Sequence, residues 1–236
     1  MTAVATPARP ADPETAGPAL RADHLYRFYR AGEEETLALQ GVTFEVAAGE
    51  VVAVVGPSGS GKSTLLACLA GLDDPSGGTV SVAGTRMSHR PEHERAALRA
   101  DRVGVLLQSG NLVPHLTVTG NIELAQAAAS PGRDLPTIAD LVGSVGLQGR
   151  AGALPRELSG GEQARAGLAV ALANAPAALL ADEPTGELDG TTEERVLALL
   201  RRTADDGTAV LLVTHSEAAA HLADRVVTLE DGRVAS

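Results

Sequence analysis

The segment Gly56-Pro57-Ser58-Gly59-Ser60-Gly61-Lys62-Ser63-Thr64 is suited to holding phosphate. Its spacing is G-x-x-x-x-G-K-S, in which glycines let the backbone curl until successive N–H groups face inward as an anion nest. Lys62 is the only lysine among the 19 basic residues of the chain; the others are arginine. A guanidinium is a flat fork, whereas an ammonium is a point charge on a slim stem that can fold beneath a curved loop. In this pattern Lys62 would bridge the β- and γ-phosphates of a nucleotide, Ser63 would ligate Mg2+, and Thr64 would add a phosphate contact.

Two other clusters could join that chemistry. Asp182 and Glu183 end an apolar run, 178–181. In a parallel sheet, ligands gather at the carboxyl ends of strands. Neighbouring strand residues point opposite ways, which predicts different tasks: Asp182 at the Mg2+ site, Glu183 orienting and activating water. Taken alone, the pair reads better as solvated acids opening a turn before Pro184; the phosphate loop reverses that balance. The other cluster is Leu158-Ser159-Gly160-Gly161-Glu162-Gln163. Ser159 is a good N-cap, and the two glycines would leave backbone N–H groups open to an anion. By itself this could be only a capped helix.

The surrounding elements must position these groups. The run 51–55 is continuously apolar and of strand length, as expected in a parallel sheet buried on both faces. It enters the glycine loop, and a helix over 62–70 leaves it. Short strands are expected at 24–29, 42–46, 78–82, 102–107, 178–181, 209–213 and 225–229. Helices are expected at 91–100, 191–203 and 216–222. Residues 111–173 read as mostly helical, with 127–150 unassigned because proline and glycine interrupt it. Alternation of this kind implies an α/β sheet with crossover helices and a helical insertion of about 109–175. Residues 1–20, rich in Ala, Pro and Thr, read as a flexible leader before a domain over 21–236.

Composition narrows the classes. Hydrophobic residues make up 44% and aromatic residues 2%, so the core must be built from Ala, Val and Leu. The net charge of −11 argues against nucleic acid as a partner and against direct adhesion to an anionic membrane. A single cysteine, Cys68, excludes an internal disulfide and reads as a buried small hydrophobe. No apolar run approaches the roughly 20 residues of a membrane helix, and the N-terminus lacks a signal-peptide core. A cytoplasmic location is therefore expected.

Leu158–Gln163 resembles the signature of ABC ATPases, and the other elements of that family follow in order from about residue 22 onward. The resemblance implies a P-loop NTPase with a mainly parallel core sheet, a small antiparallel β subdomain and a helical insertion. It also implies further roles. Tyr29 matches the aromatic that stacks on adenine, with Tyr26 and Phe28 close enough to compete. Gln108 matches the glutamine that reaches Mg2+ and water, Asp189 the D-loop residue at a dimer interface, and His215 the switch histidine at the γ-phosphate. Asp189 is equally an N-cap, and an isolated histidine is more often structural. Ser159, Gly160, Gly161, Glu162 and Gln163 would act in trans, on ATP held by a second ABC ATPase subunit.

The segment 29–42, together with 111–118 and 181–186, is similar to the lipoprotein-release and macrolide-export group of MacB/LolD-like ATPases. That group implies an integral membrane permease of FtsX/MacB-like type as partner, a homodimer, and a peripheral position on the inner face of the membrane. Val170 stands where the family usually has arginine, and Glu187 where it often has Asn or Ser. Competing readings are a non-transport ABC ATPase acting on nucleic acid or ribosomes, and a small-molecule kinase. The first usually needs a long coiled-coil insertion or two cassettes in one chain; the second has no use for Leu158–Gln163 or His215.

Overall fold

The computed structural model describes residues 17–31, 34–186 and 188–235. Most of the expected leader and Glu187 therefore lie outside the described residues. Leu20, the last residue of that expected leader, is already in a strand and is buried.

Two sheets and a set of helices form the domain. One sheet is antiparallel, in the order β2 (Glu34–Val46), β1 (Leu20–Ala31), β4 (Gly77–Val82) and β5 (Thr85–Arg86). The other has the order β10 (Arg233–Val234), β9 (Arg225–Glu230), β3 (Val51–Val55), β8 (Ala209–Val213), β7 (Ala178–Asp182) and β6 (Val103–Leu106). Every neighbouring pair in it is parallel except β10 with β9. The helices are α1 (Lys62–Leu69), α2 (Glu92–Arg102), α3 (Val118–Ala127), α4 (Ile138–Ser144), α5 (Gly160–Ala171), α6 (Gly190–Asp205) and α7 (Glu217–Leu222). The expected α/β class holds, with a mainly parallel core sheet, a smaller antiparallel sheet and helices between β6 and β7.

The core sheet divides the apolar interior in two. Successive strand side chains point to opposite faces, so each central strand feeds both sides. Val52 and Val54 of β3, Leu180 of β7 and Leu211 of β8 pack with α1 and the antiparallel sheet. Val51 of β3, Leu179 and Ala181 of β7, and Val210 and Leu212 of β8 pack with the helices on the far side. Burial on both faces explains why these strands read as unbroken apolar runs.

The strands of the antiparallel sheet are longer than 24–29 and 42–46. They carry polar residues on an exposed face, such as Arg21 and Glu45, so no continuous apolar run marks them. The unassigned stretch contains α4, capped where the Thr137 hydroxyl accepts from the Asp140 N–H at 3.1 Å. Two short 3-10 turns, Gln148–Arg150 and Pro155–Glu157, then lead to α5.

Candidate active site

The phosphate loop joins β3 to α1. Gly61, the N-cap of α1, has φ +101°, and a Cβ there would sit 2.4 Å from the Ala38 carbonyl oxygen, so only glycine fits. No side chain caps α1 and no acid stands in its first turn. The positive end of the helix and its unpaired N–H groups are thus left for an external anion. Lys62 is buried, and its Nζ donates to the carbonyls of Gly56 and Pro57, both at 2.9 Å. The ammonium is folded beneath its own loop, as a slim stem allows. The buried Ser60 hydroxyl has no hydrogen-bond partner among the described residues.

Two clefts meet at this loop and share Gly59, Lys62 and Ser63. The first, of about 700 Å³, brings Gln108, Asp182, Glu183 and His215 to the loop. The second, of about 490 Å³, runs from the loop to Tyr29 and contains Thr64 and Ala38. Residues from positions 29 to 215 therefore converge on one elongated depression with a cationic, N–H-rich centre. Its shape and chemistry suit a ligand with an anionic middle and an aromatic end.

Asp182 is the last residue of β7, whereas Glu183 has left the strand with φ +46°. Strand alternation therefore does not govern this pair: the backbone turn brings both carboxylates to the same cleft. Burial raises the Asp182 carboxyl above its ordinary range, Glu183 raises it further, and Lys62 acts in the opposite sense. One Glu183 oxygen accepts from the His215 backbone N–H at 3.3 Å and from the Thr214 hydroxyl at 3.5 Å. The other lies 3.7 Å from His215 Nε2. Ser63, Gln108 and Asp182 supply oxygen donors of the hard kind that suits Mg2+. Among the described residues no cluster of three or more His, Cys, Asp or Glu could hold a metal. An ion here would share its shell between this mixed set and phosphate oxygens.

Of the three neighbouring aromatics, Tyr29 lines the second cleft, while Tyr26 lies against Gly41 and Gly77. Sequence reasoning missed what holds Tyr29. Its hydroxyl donates to Asp73 at 2.9 Å, and Asp73 accepts two bonds from Arg27 at 2.8 Å. The Arg27 guanidinium carbon lies 4.6 Å from the Tyr29 ring centroid, a cation–π contact. Asp73 also follows α1 closely in the chain, so the aromatic is tied to the element that opens the phosphate loop.

No residue of the segment 159–163 lines either cleft, but Gly160 and Gln163 line a neighbouring cavity with Gln108, Glu183 and Leu188, which also face the first cleft. Ser159 and Glu162 form a capping box, in which Glu162 N donates to Ser159 Oγ at 3.3 Å and Ser159 N donates to Glu162 at 2.8 Å. Arg150 donates to the other Glu162 oxygen at 3.0 Å. Gln163 Nε2 donates back to the Leu158 carbonyl. The Ser159 oxygen accepts in the cap, which leaves its O–H able to donate elsewhere. Gly160 is exposed. Gly161 is buried, and Thr192 fills the space where its Cβ would be. Asp189 caps α6, accepting from Thr192 N at 3.0 Å and from Thr192 Oγ1 at 2.8 Å.

A family model described as ABC transporter matches residues 39–186. The lipoprotein-releasing system ATP-binding protein LolD of Gluconobacter oxydans is 45% identical over 223 residues, covering 93% of this chain and 96% of LolD. The macrolide export ATP-binding/permease protein MacB of Rhodopirellula baltica is 44% identical over 216 residues, 89% of this chain. The match spans only 32% of MacB. Among solved structures, the dimeric ATP-binding cassette MJ0796, in a post-hydrolysis state bound to ADP and Pi, superposes with TM-score 0.83 at 34% identity. That match covers 92% of this chain and 97% of MJ0796.

Proposed function

The chain belongs to the ABC transporter ATP-binding family, and from that premise we propose that it hydrolyses ATP between two copies of itself to drive a separate membrane permease. The convergence of Lys62, Gln108, Asp182, Glu183 and His215 on one cleft carries this reading. The triphosphate lies over the loop 56–64, held by its backbone N–H groups and by Lys62. The ammonium exchanges the Gly56 and Pro57 carbonyls for phosphate oxygens, and a charged acceptor makes the stronger bond. Adenine stacks on Tyr29, whose orientation Arg27 and Asp73 restrict.

Ser63, Gln108 and Asp182 would hold Mg2+, which when bound supplies positive charge to the phosphate oxygens. The raised Asp182 carboxyl supports that fit, because a buried acid beside a second acid gains from a nearby cation. Glu183 orients the attacking water and receives its proton. His215, within reach of Glu183, contacts the γ-phosphate.

One subunit holds half of each site. The Ser159 hydroxyl and the Gly160 and Gly161 N–H groups meet the γ-phosphate of the opposing subunit, giving a two-fold interface if both copies are identical. Hydrolysis removes those charge-assisted bonds and allows the pair to open. The dimeric state of the matched cassette supports this assembly. The helical stretch 109–175 forms the subdomain that carries the signature. MacB's name joins ATP binding and permease in one chain of which this sequence matches a third, which favours a MacB-like permease as the partner here. Among the described residues no helix is long and apolar enough to cross a membrane, which supports peripheral attachment through such a permease.

The test is Glu183→Gln. It should retain ATP and accumulate as a nucleotide-bound dimer in size-exclusion chromatography, with turnover down by about 10²–10⁴-fold. Parent-level phosphate release from that variant would overturn the role of Glu183.

A further inference from the structure

We propose that Glu193, on the first turn of α6, is a positioning residue that locks the loop carrying Glu183 to the loop carrying His215. The inference rests on the ATPase reading above. Glu193 lines the same cleft as Asp182, Glu183 and His215. One of its oxygens accepts two hydroxyl bonds, from Thr185 Oγ1 at 3.0 Å and from Ser216 Oγ at 2.6 Å. Thr185 stands two residues after Glu183, and Ser216 directly follows His215. A single carboxylate oxygen therefore bridges the turn after β7 and the turn after β8.

The neighbouring bonds make this bridge the outer link of a closed network. Ser216 N donates to Thr214 Oγ1 at 2.9 Å, and the Ser216 hydroxyl caps α7 by accepting from Ala219 N at 3.2 Å. Thr214 Oγ1 and His215 N donate to Glu183. Beyond the backbone bond from Glu183 N to the Val213 carbonyl at 2.9 Å, side chains thus tie the two loops twice, once through the Glu183 carboxylate and once through Glu193. The first tie uses a carboxylate assigned to the reaction, which must be able to turn toward water. The second tie does not, so the spacing of the loops is held while Glu183 works. Thr185 is buried, so its hydroxyl has no ready solvent partner if Glu193 is removed.

The position of Glu193 at the start of α6 also favours that helix through its charge. The two roles separate on substitution. A glutamine keeps an oxygen that can accept both hydroxyl bonds and discards the charge; an alanine discards both. The experiment compares Glu193→Gln and Glu193→Ala with the parent in steady-state ATP hydrolysis, thermal unfolding and hydrogen exchange. Glu193→Ala should lower kcat by about 10–100-fold, because small misplacements of catalytic groups are costly, while KM for ATP stays within about 2-fold. Glu193→Gln should recover most of the loss. Exchange at Thr185, Gly186, Ser216 and Ala219 should accelerate in the alanine variant and not in the glutamine variant.

Unchanged kcat in Glu193→Ala overturns the proposal. So does a glutamine variant as impaired as the alanine one, which would make the charge itself essential. A parallel fall of kcat, ATP affinity and melting temperature in both variants overturns it as well, as the mark of general destabilisation. If the parent releases no phosphate, the ATPase reading fails, and exchange alone decides the lock: unaltered rates in Glu193→Ala overturn it, and local acceleration reversed by glutamine sustains it.

Discussion

Replacing Gly161 by alanine tests how α5 and α6 are fitted together. A Cβ on Gly161 would lie 2.2 Å from Thr192 Cγ2, against about 3.5–4.0 Å for an ordinary carbon–carbon contact. The methyl must retreat by more than ~1 Å. Thr192 has little freedom to allow this, because Asp189 accepts from both its N–H and its hydroxyl, at 3.0 and 2.8 Å. Rotating χ1 to move the methyl swings the hydroxyl off Asp189, and β-branching already restricts that torsion. Overpacking of this kind costs about 1–3 kcal/mol, with about 1 kcal/mol more if the hydroxyl bond is broken. Melting should fall by about 2–4 °C for each kcal/mol in a domain of this size. Urea unfolding followed by circular dichroism gives the free energy directly. Thr192→Ser removes the offending methyl and keeps the hydroxyl, so Gly161→Ala should be nearly harmless in that background. The reasoning fails if Gly161→Ala matches the parent within about 0.5 kcal/mol, or if its cost is the same in the Thr192→Ser background as in the parent.

Two further predictions concern pH. Burial first, then Asp73, pushes the Cys68 thiol up to about 12, so it should resist thiol reagents at pH 8 until denaturant is added; rapid labelling of the folded protein would contradict this. The neutral thiol is favoured in the fold, so its contribution to stability is complete below the ordinary thiol value of 9.0 and is lost as pH rises toward about 12. A Cys68→Ala variant should lose less stability than the parent across that interval. Asp224 is shifted the other way, held below the usual carboxylate range first by the Val51 N–H and then by Arg201. Its oxygen accepts from both at 2.8 Å, and it secures the start of β3. Asp224→Ala should cost about 1–2 kcal/mol at pH 7 by stranding the buried Val51 N–H. Stabilisation from a depressed carboxyl is present above about pH 3.9 and is lost as pH falls through its folded value. The difference between the two proteins should therefore shrink in urea titrations at pH 3.

Local patterns in the chain were enough to mark the phosphate loop, the buried strands and the signature helix. Each of these depends on residues adjacent in sequence: curling glycines around one ammonium, an apolar run buried on both faces, a serine N-cap followed by two glycines. The order of those patterns also implied the α/β class and the helical stretch between β6 and β7. The edges of the antiparallel sheet were harder to read, because half of each strand faces water and mixes charges with apolar residues.

Other relationships arose only when distant segments were brought together. Glu183 reaches the Asp182 cleft because the backbone turns to φ +46° after β7, which strand periodicity does not foresee. The place where a Cβ on Gly161 would stand is filled by a threonine from the next helix. The support of Tyr29 by Asp73 spans 44 residues, and the bond from Ser216 to Glu193 spans 23. Short-range patterns record backbone preference and burial, so composition and spacing disclose them. A hydrogen bond between side chains on separate elements leaves no periodic trace, and it exists only once packing sets the distance between those elements.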